Sequence, residues 1–401
     1  MLRTIFFIVA ISLATPSYAD TAFDAFLQTL WPQAQTMGVS RATFDTAVRG
    51  LEPDLSLPDL VIPGRPEKAP PGQPEFVLTP SQYLKESTFE RMTAQGRKLA
   101  AEHRETLARI AREYGVPGHV LLAIWGRETD YGRYALPHDG LRVLATQAYL
   151  GKRKELFRNE FLYALKMLHD GVPRARLRSS WGGAMGMTQF LPSEFYKHAV
   201  DFDGDGAANI WTSVPDALAA AARQLAAKGW QAGKLWAIEV RVPSNVDCTI
   251  AEPSRVAPVA DWLARGYVPA HGRQLTADEL ASEASLLLPE GTYGPGFLTA
   301  KNYYVIKDYN FSDLYVLYVG HLSDRIAGAR AFETPWSKRD QLRTKDVEAM
   351  QQRLTALGLY RDKIDGKAGM LTRAALGAFQ KSRGLKVDCW PSAAVLAAMG
   401  R

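Results

Sequence analysis

The segment 121-LLAIWGRETDYGR-133 places a glutamate at the end of an apolar run. Glu128 lies three residues after Trp125 and three before Tyr131, so on a helix the three share a face. Leu121, Leu122 and Ile124 put that helix in a core. A carboxyl group held against aromatic rings has its charged form disfavoured and its pKa raised, which prepares it to donate a proton near neutral pH. The plainer reading is a surface glutamate paired with Arg127 or Arg133. Ordinary glycoside hydrolysis needs a second carboxyl group. Asp130 is the nearest, but residues two apart on a helix do not face each other.

Two further runs carry chemical potential. In 181-WGGAMGMTQFLPSEF-195, glycines at 182, 183 and 186 allow close backbone approach, and Met185, Gln189 and Phe190 offer walls and an amide. A glycine-rich turn before a helix explains the same residues. In 201-DFDGDGAANIWTSVPD-216, Asp201, Asp203 and Asp205 with Gly206 match the start of a calcium loop. Position 12 is Thr212 instead of the usual glutamate, and Asp216 could close a longer loop; a solvated acidic turn is the alternative.

The elements that must position these residues read as mostly helical. Helical patterning covers residues 21–48, 81–115, 153–169, 215–228 and about 312–330, with Gly115 as a cap and Pro117 opening the Glu128 helix. Eight prolines between Glu52 and Pro80 predict an extended segment. Residues 237–243 and 303–309 read as short strands of a small sheet. A connector, 333–340, leads to a last unit, 341–401.

The first 19 residues combine Arg3, an apolar run from Ile5 to Leu13 and Ser17-Tyr18-Ala19, the pattern of a secretory signal cleaved after Ala19. That run is too short to span a bilayer, so an exported, periplasmic, soluble protein without a transmembrane segment is expected. The chain has 401 residues, 47% hydrophobic and 22% charged, enough for two or three domains. A net charge of +6, or +5 without Arg3, suits an anionic polymer, and export argues against nucleic acid. Cys248 and Cys389 are either a disulfide or two buried thiols.

With these motifs in view, the chain resembles the B-type family of lytic murein transglycosylases. The likeness rests on 73-QPEF-76, 114-YGVP-117, 128-ETDYGR-133, 181-WGGAMGMTQFLPS-193, 201-DFDGDG-206 and 302-NYYVIKDYN-310. It implies a mainly α (α+β) fold, with a lysozyme-like helical core over residues 20–332 and a small β-sheet insertion. Glu128 would be the one acid/base, cleaving the bond between N-acetylmuramic acid and N-acetylglucosamine and leaving 1,6-anhydromuramoyl ends. An internal C6 hydroxyl as nucleophile would remove the need for a second acid.

The resemblance also places Tyr83, Arg153, Met185, Gly186, Gln189, Tyr309, Asn310 and Tyr315 along the glycan groove. It makes Asp201, Asp203, Asp205 and Asp216 the ligands of a structural Ca2+; the chemistry itself needs no cofactor. Residues 341–401 resemble the three-helix peptidoglycan-binding domain, with Cys389 where glycine is usual. Arg223-Gln224 stands where the family carries Asn-Tyr, so a stacking ring is absent. Peptidoglycan strands are the implied partner, wall-remodelling proteins are further candidates, and a monomer is expected. The rivals are a hydrolytic muramidase on the same scaffold and a catalytically silent wall-binding protein.

Overall fold

In a computed structural model, residues 18–65 and 74–400 are described; the expected signal peptide lies outside them apart from its last two positions. The chain divides into two compact units whose boundary runs through the expected catalytic region. Among the described residues, one comprises 18–65, 136–185 and 189–196, the other 74–135, 186–188 and 197–400.

In the first unit, helices Tyr18–Thr29, Trp31–Thr36 and Arg41–Val48 accompany Gly140–Leu150 and Lys154–His169. The last two pack together, and Phe44, Leu144, Phe157, Phe161 and Leu165 are buried. His138–Asp139 pairs antiparallel with Arg178–Ser179. The proline-rich segment is irregular through residue 65, and Val61 N–H reaches the carbonyl of Leu150 at 2.7 Å.

In the second unit, Glu86–Glu102, Arg104–Tyr114, Gly118–Thr129, Val214–Ala227 and Asp313–Ile326 surround one core. The expected helix over 81–115 is broken at His103, and Gly115 closes it at φ 71°. Gly118–Thr129 and Asp313–Ile326 pack against each other, which sets the site.

A five-stranded antiparallel sheet runs Val256–Pro258, Glu283–Leu287, Gly296–Thr299, Ala237–Arg241, Val268–Pro269. The strand expected at 303–309 is instead the helix Lys301–Lys307. Its aromatic and β-branched residues suggested a strand. Burial of Asn302, Tyr303, Val305 and Ile306 hides the one-sided pattern that marks a surface helix.

Helices Thr344–Ala356, Met370–Ser382 and Ala393–Ala398 form the C-terminal module around Met350, Leu354, Leu376 and Phe379. Cys248 and Cys389 are bonded, across a sequence separation of 141.

Candidate active site

Pro117, extended at φ −64° and ψ 140°, precedes the helix Gly118–Thr129, whose residues from Val120 to Gly126 are buried. Close packing requires Gly126: a Cβ there would lie 2.7 Å from the Tyr131 ring. The helix stops because Asp130, Tyr131 and Gly132 are all left-handed, with φ of 50°, 57° and 79°. Thr129 Oγ1 donates to the carbonyl of Met187 at 2.8 Å and fixes this end. Tyr131 is therefore past the helix, and the expected shared face with Glu128 does not form. Its ring meets Trp125 edge-on at 5.8 Å, and its hydroxyl donates to the Met92 carbonyl at 2.9 Å.

The aromatic partner of Glu128 is Tyr315, whose hydroxyl donates to Oε1 at 2.5 Å. Tyr309 lies parallel to Tyr315 at 6.5 Å and donates its hydroxyl to the Thr188 carbonyl. Arg127 Nε donates to the Tyr83 hydroxyl at 2.8 Å, and its guanidinium lies over the rings of Tyr83 and Tyr318. Its Nη2 is 3.9 Å from Glu75, which is 7% exposed and also accepts the Asn310 amide at 3.3 Å.

Burial pushes the pKa of Glu128 up, and the nearby Glu75 adds to the rise. The Tyr315 hydrogen bond and the Arg127 charge oppose it, yet the net direction is upward. Glu128 is thus no solvated surface ion pair but a carboxyl group disposed to hold its proton.

Asp130 points elsewhere, bonded to Arg91 at 2.8 Å. Glu75 is the carboxylate that sequence reasoning missed. It stands in the quoted QPEF stretch, but nothing local shows that the fold returns it to Glu128. One of its oxygens accepts the Asn310 amide and the other faces the Arg127 guanidinium, so both are already engaged by side chains.

Tyr83 and Tyr315 are 8% and 1% exposed, so neither offers the open ring face expected of a sugar platform. They hold Arg127 and Glu128 instead. Tyr309 and Asn310 are half-buried. Gly186 is required at φ 75°, where a Cβ would meet the Ile210 carbonyl at 2.8 Å.

Met185, Gln189 and Arg153 belong to the other unit. Met185 is 1% exposed and exchanges backbone hydrogen bonds with Phe190, so it is a core residue rather than an open wall. Gln189 is left-handed at φ 58° and half-buried. Arg153 lies 5.1 Å over Phe157 and lines a depression with Lys152, Lys154, Val61 and Leu156. Arg223 is exposed and Gln224 buried where the family has its aromatic pair.

Asp201, Asp203 and Asp205 are exposed, each with a carboxylate oxygen within 4.8 Å of the others'. Backbone N–H groups preshape them: Asp201 accepts from Gly204 at 2.7 Å and Gly206 at 2.8 Å. This oxygen-only donor set fits a hard cation. Asp216, also expected as a ligand, stands outside this cluster. It is fully buried, one oxygen accepting from Phe202 and Asp203 N–H and the other from Asn209 N–H.

Residues 22–324 match the family model described as a transglycosylase SLT domain. The chain belongs to this family. Residues 343–399 match a model described as a putative peptidoglycan-binding domain. The membrane-bound lytic murein transglycosylase B of Escherichia coli is 33% identical over 241 residues, 57% of this chain. The aligned part spans 62% of that relative's length.

Crystalline SltB3 from Pseudomonas aeruginosa, in complex with NAG-anhNAM-pentapeptide, is similar with a TM-score of 0.82 and 35% identity. That match covers 94% of this chain and 99% of SltB3. The Escherichia coli lytic transglycosylase Slt35 in complex with calcium matches with a TM-score of 0.52 and 29% identity, over 62% of this chain and 77% of Slt35. The SLT-family chain therefore has the lysozyme-like helical fold with a small sheet and a helical C-terminal module. Among the described residues no helix is long and apolar enough to cross a membrane.

Proposed function

We propose that this chain cleaves the β-1,4 bond between N-acetylmuramic acid and N-acetylglucosamine in peptidoglycan and closes a 1,6-anhydromuramoyl ring. The observation that carries this is the Glu128 carboxyl group, raised in pKa and held by Tyr315, beside a Glu75 already engaged. Protonated Glu128 gives its proton to the glycosidic oxygen as the C1–O bond breaks. The resulting carboxylate then takes the proton of the muramoyl C6 hydroxyl as that oxygen bonds to C1. Each turnover returns Glu128 to its acid form, so no second catalytic carboxyl is needed. Holding the C6 hydroxyl near C1 makes the second step intramolecular, a large kinetic advantage. The anhydro sugar bound to SltB3 supports the same outcome for this relative.

Digestion of purified peptidoglycan and weighing of the released muropeptides test the reaction. Ends one water lighter than reducing ends are expected; reducing ends would mean hydrolysis. Intact peptidoglycan with the protein bound to it would mean a silent binder.

Tyr315 tunes the acid. Its hydroxyl favours the Glu128 carboxylate, so Tyr315→Phe raises the Glu128 pKa further. The charged and titratable groups around Glu128 are Arg127, Glu75, Tyr83 and Tyr315. The acid form then persists to higher pH, and the alkaline limb of the kcat profile moves upward. An unmoved limb would contradict the role.

Sugar contact by Arg153 and Gln189 in the first unit, and by Gly186, Tyr309 and Asn310 in the second, is part of this proposal, as is wall binding by residues 341–401. Export to the periplasm is proposed on the N-terminal signal pattern and the Cys248–Cys389 disulfide, which suits an oxidising compartment.

Asp201, Asp203 and Asp205 would hold calcium as a structural ion; the crystal complex of Slt35 with calcium supports this. Free calcium at about 100 times its dissociation constant would stabilise the fold by about 2.7 kcal/mol. A melting temperature that rises with calcium and no longer responds in Asp203→Ala is expected. An equal response in the variant would place the ion elsewhere.

A further inference from the structure

The C-terminal module is fastened to the catalytic region by more than the connecting chain. The connector is itself pinned to the sheet region: the N–H groups of Glu333 and Thr334 donate to the Glu239 carboxylate, each reaching Oε1 at 3.0 Å, and Ser337 N–H reaches Glu290 at 2.7 Å. The disulfide and a 2.6 Å hydrogen bond from Tyr293 to Asp388 add to this.

One contact differs from these in reaching toward the acid. Arg373, on the helix Met370–Ser382, places Nη2 3.1 Å from Asp313 Oδ2, and the two side chains are 10% and 9% exposed. The other oxygen of Asp313 accepts Lys307 Nζ at 2.5 Å and the Tyr303 hydroxyl at 2.7 Å. A buried carboxylate is tolerated only when so compensated. Burial would raise the pKa of Asp313, but Lys307 and Arg373 together hold it at about 2.

Asp313 is the first residue of the helix Asp313–Ile326, and Tyr315 follows in the same turn. Ser312 caps that turn, accepting from Leu314 N–H at 3.2 Å and donating to the Glu75 carbonyl at 3.2 Å. A single helical turn thus carries the anchor to the module, the link to Glu75 and the hydroxyl on Glu128.

We propose that Arg373 is a positioning residue for the catalytic acid: through Asp313 it fixes the turn that presents Tyr315 to Glu128, so the wall-binding module completes the active site. The inference rests on Glu128 being the acid/base. Without Arg373, Asp313 keeps Lys307 but loses its second cation, and the turn relaxes. The Tyr315 hydrogen bond then weakens, and Glu128 behaves as it does in Tyr315→Phe.

The test uses the full chain and a short soluble glycan fragment, recording kcat and KM against pH for wild type, Arg373→Met, Tyr315→Phe and the double variant. Arg373→Met is expected to lower kcat by about ten-fold, in line with a small misplacement at a reacting centre. KM stays near wild type, and the alkaline limb rises as in Tyr315→Phe. The double variant is expected to be no slower than Tyr315→Phe alone, because both act through one hydrogen bond. Arg373→Lys, which keeps the charge and loses the fork, is expected to recover part of kcat and serves alone if Arg373→Met does not fold. An active Arg373→Met with wild-type kcat and limb overturns the proposal, as does full additivity in the double variant or an Arg373→Lys no better than Arg373→Met. Should only Arg373→Lys fold, a wild-type profile for it overturns the proposal. If the wild type itself forms no anhydro ends, the reading of Glu128 fails and takes this one with it.

Discussion

Glu128→Gln is expected to lower turnover of peptidoglycan by about a thousand-fold or more, the scale of lost general acid–base catalysis. Glutamine keeps the length of the side chain and an oxygen to accept the Tyr315 hydroxyl, so the surrounding contacts survive. Only the transferable proton is lost. Since burial already disfavours charge at this position, a neutral amide costs the fold little, and the melting temperature should stay near wild type. Sedimentation with purified peptidoglycan should show that binding persists. Turnover at wild-type rate would remove Glu128 from the mechanism. Loss of folding would show that the carboxyl group is structural.

The second large effect concerns stability. Removing the Cys248–Cys389 bond by Cys389→Ala, or reducing it, is expected to destabilise the second unit by about 2–5 kcal/mol, the usual cost of losing a native disulfide. The bond spans 141 residues, and closing so long a loop in the unfolded chain carries a large entropic constraint. Both cysteines are 1% exposed, and reduction would leave two buried thiols beside Gly377. Denaturant unfolding with and without reductant measures the difference. A midpoint unchanged after the bond is shown to be broken would mean that packing alone holds the module.

The acid was legible in the sequence because its cause is local: an apolar helix that ends in a glutamate. Its environment was not. The shared face with Tyr131 failed because three consecutive left-handed residues turn the chain away after Thr129. Of the three, Gly132 signals such a conformation strongly, Asp130 weakly and Tyr131 not at all. Tyr315 and Glu75 reach the site through tertiary packing, and no spacing along the chain encodes that.

Burial also reassigned roles. Tyr83, Tyr315 and Met185 have the types of groove residues, yet the core covers them. Asp216 fits a ligand by type and spacing, but it is fully buried and stands outside the exposed cluster of three aspartates. The cysteine pairing, open at the level of sequence, depended on how the C-terminal module meets the sheet region. Arg373 was unreadable for the same reason, since its partner Asp313 is 60 residues away.

The central claim is that one carboxyl group serves as acid and then as base for an internal hydroxyl. Digestion of purified peptidoglycan in water enriched in heavy oxygen, with mass analysis of the released ends, tests it most directly. The account predicts anhydro ends that carry no heavy oxygen, because the bond to C1 is made by the sugar's own C6 oxygen. Heavy oxygen at C1 of the released muramic acid would contradict it, showing that water, and not the C6 hydroxyl, attacks.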